Sequence, residues 1–479
     1  MPDLSKATST AQWIGARVAL VILTFALIVI FAGQSFAEVE TGTKKILDIQ
    51  EVKSDLGITA WLVEDHSAPV ISIDFWFHPD TPLYSAEKQG ITSFLSSMLD
   101  EGAGDYPSQD FQKMLEDYNI SMSFNGGRDA FGGSLYVLSK YKDKAAELLG
   151  LALTKPRFDA EPMERMRRSH ITRLRRSLGD PGWTRARLTN VYSYPDHYYA
   201  LNSGGTMATL TAMNPDDLRN FMTQYFNRET LEVSVVGDIT AQDLKSLLDK
   251  MFGTLPAAAP APQESIKAPE FPAAPPKIYF EKDIPQTYLR YVWDGIDSHD
   301  PDYPAYAVME YILGGGGFSS RLMTEIREKR GLTYGVYSGM MTNDKADRLH
   351  IDTSTAHENI AQMRALILAE IRRMVDEPVG AQELADAKSY LTGSMVLGLT
   401  STGSIVGAVS GLQYNDRPMD YLDGFKARVN GVTAEAIQNV ARRVFDGKAP
   451  IEIYVGLKPD LGAESGAPVE QVTTLPNAE

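Results

Sequence analysis

Three serines, Ser93, Ser96 and Ser97, stand at i, i+3 and i+4 in the stretch GITSFLSSMLDEGAG, residues 90–104. That spacing puts their hydroxyls on one turn of a helix. A hydroxyl there becomes a nucleophile only beside a base. None is adjacent in sequence, and no G-x-S-x-G elbow occurs in the chain. The ordinary role of a helical serine is a hydrogen bond to the carbonyl one turn earlier. Serine is also a poor zinc ligand, because its hydroxyl is not appreciably ionised at neutral pH.

The seven histidines are His66, His78, His170, His197, His299, His350 and His357, and no two lie three to five residues apart. No helical turn therefore offers a paired imidazole site, and a metal centre would need distant residues. His66 falls in an expected turn and His197 in the aromatic loop YPDHYY, where each reads as solvated or locally bonded. There is no cysteine, which removes disulfides, thiolate nucleophiles and thiolate metal sites.

The richest stretch is LGGGGFSSRLMTEIREKRGLTYGVYSG. Gly314, Gly315, Gly316 and Gly317 precede a helix, as in a phosphate cradle. No Lys-Ser/Thr follows and no Rossmann spacing surrounds them, so a tight turn admitting another backbone fits better. Arg321, Arg327, Lys329 and Arg330 come next, then Tyr334 and Tyr337. A charged helix face and buried strand positions are the plain readings of these two sets.

The elements that must position these residues belong to a chain of 479 residues, too long for one core. Hydrophobic content of 43% and charged content of 23% are globular values, and a net charge of −16 argues against nucleic acid. Lys6 and Arg17 lead into VALVILTFALIVIFAG, an apolar run of about 15 residues. Ser35 and Ala37 then satisfy a small-residue cleavage rule, so residues 1–37 read as a signal peptide cleaved after Ala37. An uncleaved inner-membrane anchor is the alternative. Either places the remainder outside the cytoplasm, in the periplasm or an equivalent compartment.

The rest divides into two halves. NPDDLRNFMTQYFNRETLEVSVVGD and TAEAIQNVARRVFDGKAPIEIYVGL share a helix cap, Asn214 or Thr433, and then Leu218/Ile437, Phe221/Val440, Phe226/Phe445 and Gly237/Gly456, all offset by 219. A constant offset through helix, turn and strand indicates duplication rather than chance likeness. Residues 255–276 hold seven prolines and read as a semi-rigid connector. The halves then span 43–254 and 277–458, and 459–479 reads as a disordered tail.

Within the halves, ITAWLVEDHSAPVISIDFWFH reads as a hairpin and SFNGGRDAFGGSLYVLS as a strand pair with glycines at close approaches. Helical periodicity covers 140–154, 160–177, 360–376 and 381–397. The expected fold is α+β: two homologous two-layer sandwiches, each a mostly antiparallel sheet with helices on one face.

GGGGFSSRLMTEIREKRGLTYGVYS closely resembles the second-half signature of the pitrilysin/insulinase-like metallopeptidases, which include the mitochondrial processing peptidase and bacterial two-subunit relatives. GITSFLSSMLDEGAGDYPSQDF resembles their zinc helix, and YPDHYYALNSGGTMATLTAMNPDDLRNFMTQYF the segment after it. The resemblance spans about residues 45–458.

In catalytic members that helix carries H-x-x-E-H, with a further Glu about 75 residues on as third ligand. Laid on this chain, the positions fall at Ser93, Ser96, Ser97 and Arg173. The resemblance thus implies a degenerate zinc site, no metal on this chain and no activity from it alone. It also implies that Arg327 and Tyr334, seven residues apart, reach into the active site of another chain, and that Gly314, Gly315, Gly316 and Gly317 form a loop of the substrate chamber. The expected partner is a homologous H-x-x-E-H subunit that holds zinc, in a heterodimer acting on peptides. An inert scaffold or peptide-binding protein of the same fold is the alternative.

Overall fold

Alternating apolar residues build two six-stranded sheets, one from each half. In the computed structural model, residues 45–261, 264–462 and 468–476 are described, and the expected signal segment and its cleavage site lie outside them. Residues from Leu47 onward form one unit.

The first half contributes β1 (Gln50–Lys53), β2 (Thr59–Glu64), β3 (Val70–Phe77), a short ladder of β4 (Gly102–Ala103) with β5 (Tyr106–Pro107), then β6 (Ser121–Gly126), β7 (Phe131–Leu138) and β8 (Leu231–Gly237). The sheet order is β1-β2-β8-β3-β7-β6. The second half supplies β9 (Lys277–Glu281), β10 (Gln286–Asp294), β11 (Val336–Met341), β12 (Arg348–Ala356), β13 (Ile451–Gly456) and β14 (Glu470–Val472), in the order β11-β12-β10-β13-β9-β14. Read from the opposite edge, β9-β13-β10-β12-β11 repeats β2-β8-β3-β7-β6; the outer strands differ, β1 lying antiparallel to β2 and β14 parallel to β9.

The duplication is visible in detail. β8 and β13 occupy equivalent central places, and each ends on a glycine with positive φ, Gly237 at +140° and Gly456 at +158°. A Cβ on Gly237 would lie 2.2 Å from the Val70 carbonyl oxygen, and one on Gly456 2.5 Å from Thr287 Oγ1. Asn214 and Thr433 cap their helices through side-chain oxygens, and all six apolar members of the offset pairs are buried.

Two expectations are corrected. β2 and β3 form where expected but do not pair as a hairpin, because β8 lies between them, parallel to β2 and antiparallel to β3. Val233 and Val235 face one core and Val236 the other, so β8 is buried on both faces, as a central strand of a covered sheet is. The tail is the second correction. Glu470–Val472 adds an edge strand parallel to β9 rather than remaining disordered.

The expected glycine contacts are present. A Cβ on Gly126 would lie 2.4 Å from the Thr92 carbonyl, so the serine-bearing helix rests directly on β6. Helices Lys142–Thr154, Ala160–Gly179, Ile360–Asp376 and Ala381–Leu397 match the periodicity closely.

Each sheet buries one face under helices of its own half. The other face is covered by a helix lent by the opposite half. Helix Thr402–Tyr414 sets Val406, Val409 and Leu412 against Val63 and Val236 of the first sheet. Helix Pro181–Ser193 sets Leu188 against Ile278, Val292 and Ile453 of the second. Polar contacts fix both: Trp76 Nε1 donates to Ser410 Oγ at 2.9 Å, Ser234 Oγ to Gln413 Oε1 at 3.0 Å, and Arg185 Nη1 to the Leu289 carbonyl at 3.2 Å. Burying each aliphatic side chain contributes about 1.5–3 kcal/mol.

This reciprocity leads to a prediction. A protease site placed within the exposed residues 257–258 should be cleavable without separating the halves. Both fragments should co-elute on gel filtration after cleavage; two separate peaks would show that the lent helices do not hold the unit together.

Candidate functional site

The serine helix, Ile91–Ser96, starts at Gly90 in the left-handed region (φ +85°), where a Cβ would strike Gly205 Cα at 2.6 Å. Ile91, Phe94, Leu95, Met98 and Leu99 are buried, so the hydrophobic spacing sets which face the serines present. Ser96 Oγ donates to the Ser93 carbonyl at 2.8 Å and Ser97 Oγ to the Phe94 carbonyl at 2.8 Å. Ser97 Oγ also lies 3.0 Å from His170 Nε2. With its proton committed to Phe94, the hydroxyl accepts from the Nε2–H tautomer of a neutral imidazole.

His170 comes from the arginine-rich helix Ala160–Gly179 and is 5% exposed. Burial, helped by the Arg173 charge, pushes its pKa down to about 4. Arg173 itself is exposed and lines an outer groove with Arg165, Arg168 and Arg176. The helix expected to carry the third ligand does face Ser97, and it does so through His170, one turn before Arg173.

The donors here are one imidazole and three hydroxyls, with a guanidinium nearby. This set does not fit zinc, which takes imidazole, thiolate and carboxylate. Among the described residues, no three His, Cys, Asp or Glu side chains gather to hold a metal ion.

Removing the Ser97 hydroxyl would leave a buried N–H without its acceptor. Ser97→Ala should therefore lower stability by about 1–3 kcal/mol, and Ser93→Ala by less than about 0.5 kcal/mol. Urea unfolding distinguishes them; equal midpoints would deny the Ser97–His170 bond any weight.

The pH dependence has a definite sign. His170 and His350 are both pushed down to about 4 by burial, whereas an unfolded histidine titrates near 6.5. Between these values the unfolded chain binds more protons, so stability rises with pH. The contribution is complete above pH ~6.5 and is lost on acidification towards pH ~4, up to about 3 kcal/mol per residue. Denaturation at pH 7, 5.5 and 4.5 measures it, and His170→Gln should flatten this acid limb.

In the second half, the glycine run forms a tight π-turn, with Gly316 N donating to the Tyr311 carbonyl at 2.7 Å. A Cβ on Gly314 would lie 2.4 Å from Ser338 N, and one on Gly315 2.4 Å from Glu310 Oε2. The glycines let this turn press against β11, as the close-approach reading expected. Ser338 Oγ donates to Glu310 Oε1 at 2.7 Å, and burial holds the Glu310 carboxyl above the usual range.

A second π-turn follows, where Lys329 N donates to the Thr324 carbonyl at 3.1 Å. It separates the basic residues by role. Arg321 forms a two-pronged pair with Glu383 at 2.7 Å, and Lys329 and Arg330 are both held by Glu325. Arg327 has no carboxylate partner among the described residues; its guanidinium lies 4.5 Å from the Phe318 ring centre. Gly331, at φ +64°, ends the helix, and Tyr334 stands 86% exposed just ahead of β11. Tyr337 is also exposed, against the buried strand position expected for it, because its side chain is on the outward face of an edge strand.

No hydrogen bond, ion pair or ring contact among the described residues joins the serine site to Arg327 or Tyr334. In the sequence, His170 has no second histidine three to five residues away. Its place three residues before Arg173, on the same helical face, was the available signal.

Residues 212–391 match the family model described as peptidase M16 inactive domain. The chain is 24% identical over 396 residues to an uncharacterized zinc protease, YmxG, of Bacillus subtilis, covering 81% of this chain and 94% of the relative. It is 23% identical over 365 residues to the non-peptidase homolog YmxG of Helicobacter pylori, covering 75% and 82%. Among solved structures, it resembles a peptidase M16 inactive domain from Pseudomonas fluorescens with a TM-score of 0.77 at 25% identity, over 86% of this chain and 99% of that one. A protease from Helicobacter pylori shares the fold at a TM-score of 0.74 and 17% identity, over 86% and 100% of the two chains.

Proposed function

We propose that this chain is a non-peptidase member of the peptidase M16 family and the non-catalytic subunit of an exported heterodimeric zinc peptidase; the match of residues 212–391 and the likeness to the non-peptidase homolog of Helicobacter pylori support the reading. The partner carries H-x-x-E-H and the zinc. This chain lends Arg327 and Tyr334 to the partner's active site, where they grip the peptide carbonyl next to the scissile bond.

One observation carries the reading. Among the described residues, Arg327 has no carboxylate partner, while Arg321, Lys329 and Arg330 are each paired. Seven residues on, Tyr334 is 86% exposed. A tyrosine placed for packing would be buried, and an arginine placed for stability would be paired. An unpaired guanidinium and an open phenol on two rigid turns can both donate to an oxygen on another molecule. In a water-excluded site, such donors act on the charge that develops at a tetrahedral intermediate.

Two further features support peptide handling between chains. β6 (Ser121–Gly126) is an edge strand, open to one more strand along its free side. Phe318, Tyr390 and Leu397 are exposed in the half that carries the Arg/Tyr motif, consistent with a surface that docks.

The test is reconstitution with an H-x-x-E-H homologue from the same cell. Neither chain alone should cleave a peptide, and the mixture should cleave and elute as one complex. Full activity from the H-x-x-E-H chain alone would remove any need for this subunit. Export is tested separately: mass spectrometry of the cell-derived protein should find Glu38 at the N-terminus.

A further inference from the structure

Residues 165–176 hold six arginines and neither Asp nor Glu, in a chain whose net charge is −16. Two of the six are committed to the fold. Arg165 makes a two-pronged pair with Glu101 at 3.1 and 2.6 Å, and Arg167 donates to the carbonyls of Leu210, Thr211 and Met213 at 2.6, 3.0 and 2.8 Å. The other four, Arg168, Arg173, Arg175 and Arg176, are exposed. Arg168 comes only within 4.0 Å of the Glu164 carboxylate, which already lies 3.1 Å from Arg167. The side chains of Arg173, Arg175 and Arg176 have no hydrogen bond or ion pair among the described residues.

Arg165, Arg168, Arg173 and Arg176 line one open groove of about 510 Å³ with Ser169 and Thr172. Their spacings put all six on one face of the helix. That stripe carries a cost in the free chain. Like charges one turn apart, Arg165 with Arg168 and Arg173 with Arg176, repel along the helix. The helix dipole offsets the repulsion for a cation in the last turn, where Arg176 stands, but its effect fades beyond that turn. Packing does not account for the arrangement either, since the four free guanidiniums are turned to solvent.

We propose that this groove binds an acidic segment of a peptide in extended conformation, its carboxylates received by Arg168, Arg173 and Arg176. The inference names a substrate class for the subunit role and rests on that reading only for what happens to the peptide once bound. From Arg165 to Arg176 the stripe runs roughly 16 Å, the length of about five residues of extended chain. Alternate side chains of such a segment share one face, so about three carboxylates can meet the stripe. Every cation in residues 165–176 is arginine, whose planar fork matches the two oxygens of a carboxylate. Ser169 and Thr172 add hydroxyl donors between the guanidiniums. Nucleic acid fits less well, because no aromatic ring lines the groove for a base to stack on and the net charge of the chain repels a long polyanion.

The experiment is calorimetric titration of the purified chain at low salt with the end-capped hexapeptide Glu-Ala-Glu-Ala-Glu-Ala, its counterpart with Gln for every Glu, inorganic phosphate and a short oligo-dT. The acidic hexapeptide should bind saturably at one site and more weakly as salt is raised, and the glutamine peptide should not bind. Exposed ion pairs are individually weak, so Arg173→Gln and Arg176→Gln should each weaken binding by about two- to fivefold and together by about tenfold. Arg168→Gln is the independent variant, read the same way. Arg372→Gln, at an exposed arginine of the second half, should leave binding as it is. The proposal is overturned by absent saturable binding, by equal binding of the two peptides, by binding unchanged in all the groove variants, or by phosphate or oligo-dT binding as tightly as the acidic peptide. No partner chain or hydrolysis enters the measurement, so its failure would leave the subunit role above untouched.

Discussion

Tyr334→Phe is expected to leave the two-chain complex assembled and to slow its peptide hydrolysis by on the order of 10²–10³. The substitution removes one phenolic oxygen from a side chain that is 86% exposed in the free chain, so it leaves no cavity behind. In the proposed role, what disappears is a donor to the oxygen that gains charge in the transition state, and the loss should fall mainly on kcat. Arg327→Ala should weaken substrate binding as well, because in the proposed role its charge-assisted hydrogen bonds would already hold the ground-state carbonyl. It also removes the cation lying over Phe318, an interaction worth about 0.5–1 kcal/mol at an exposed site. Zinc on the partner should be unchanged in both variants. The measurements are hydrolysis by the reconstituted pair, its elution volume and its metal content. Full activity in both variants would leave this chain as a scaffold. Arg330 and Tyr337 share the seven-residue spacing, so loss through Tyr337→Phe alone would keep the mechanism and move it three residues along the chain.

The second large effect is a gain. The wild-type chain is expected to bind no stoichiometric zinc, whereas Ser93→His, Ser96→Glu, Ser97→His and Arg173→Glu together should introduce a site for about one zinc per chain. The structure adds a condition. His170 Nε2 lies 3.0 Å from Ser97 Oγ, the volume that an imidazole at 97 must enter. His170→Ala therefore has to accompany the other four, and the four-substitution variant without it should bind zinc poorly or fold less stably. Elemental analysis after dialysis reads the stoichiometry, and circular dichroism confirms the fold. A folded five-substitution variant without zinc would show that these positions do not converge. One zinc in the unaltered chain, lost on Ser97→Ala, would overturn the degenerate-site reading.

Much of this was legible without coordinates because it depends on local chemistry. Apolar spacing fixes which face of the serine helix is buried, so the direction of Ser93, Ser96 and Ser97 follows from Ile91, Phe94 and Leu95. The constant offset of 219 identified two copies of one unit, and Gly237 and Gly456 indeed end matching strands in the same strained conformation. The spacing of Arg327 and Tyr334, interrupted by Gly331, placed a cation on a helix and a phenol beyond its end.

Tertiary structure decided whatever depends on partners distant in sequence. β8 lies between β2 and β3, and an alternation pattern does not reveal which strand will pair with which. The exchange of helices between halves is hidden for the same reason: Val406 and Leu188 look like core residues, but not of whose core. Ion pairing separated Arg327 from Arg330, since Glu325 satisfies one and not the other. His170 became the partner of Ser97, and His78 the clasp between Glu232 and Asp344, by contacts spanning 73, 154 and 266 positions. Sequence determined the types of these groups and the faces they occupy. Only the packed chain, by burying some charges and pairing others, determined which remain free to act.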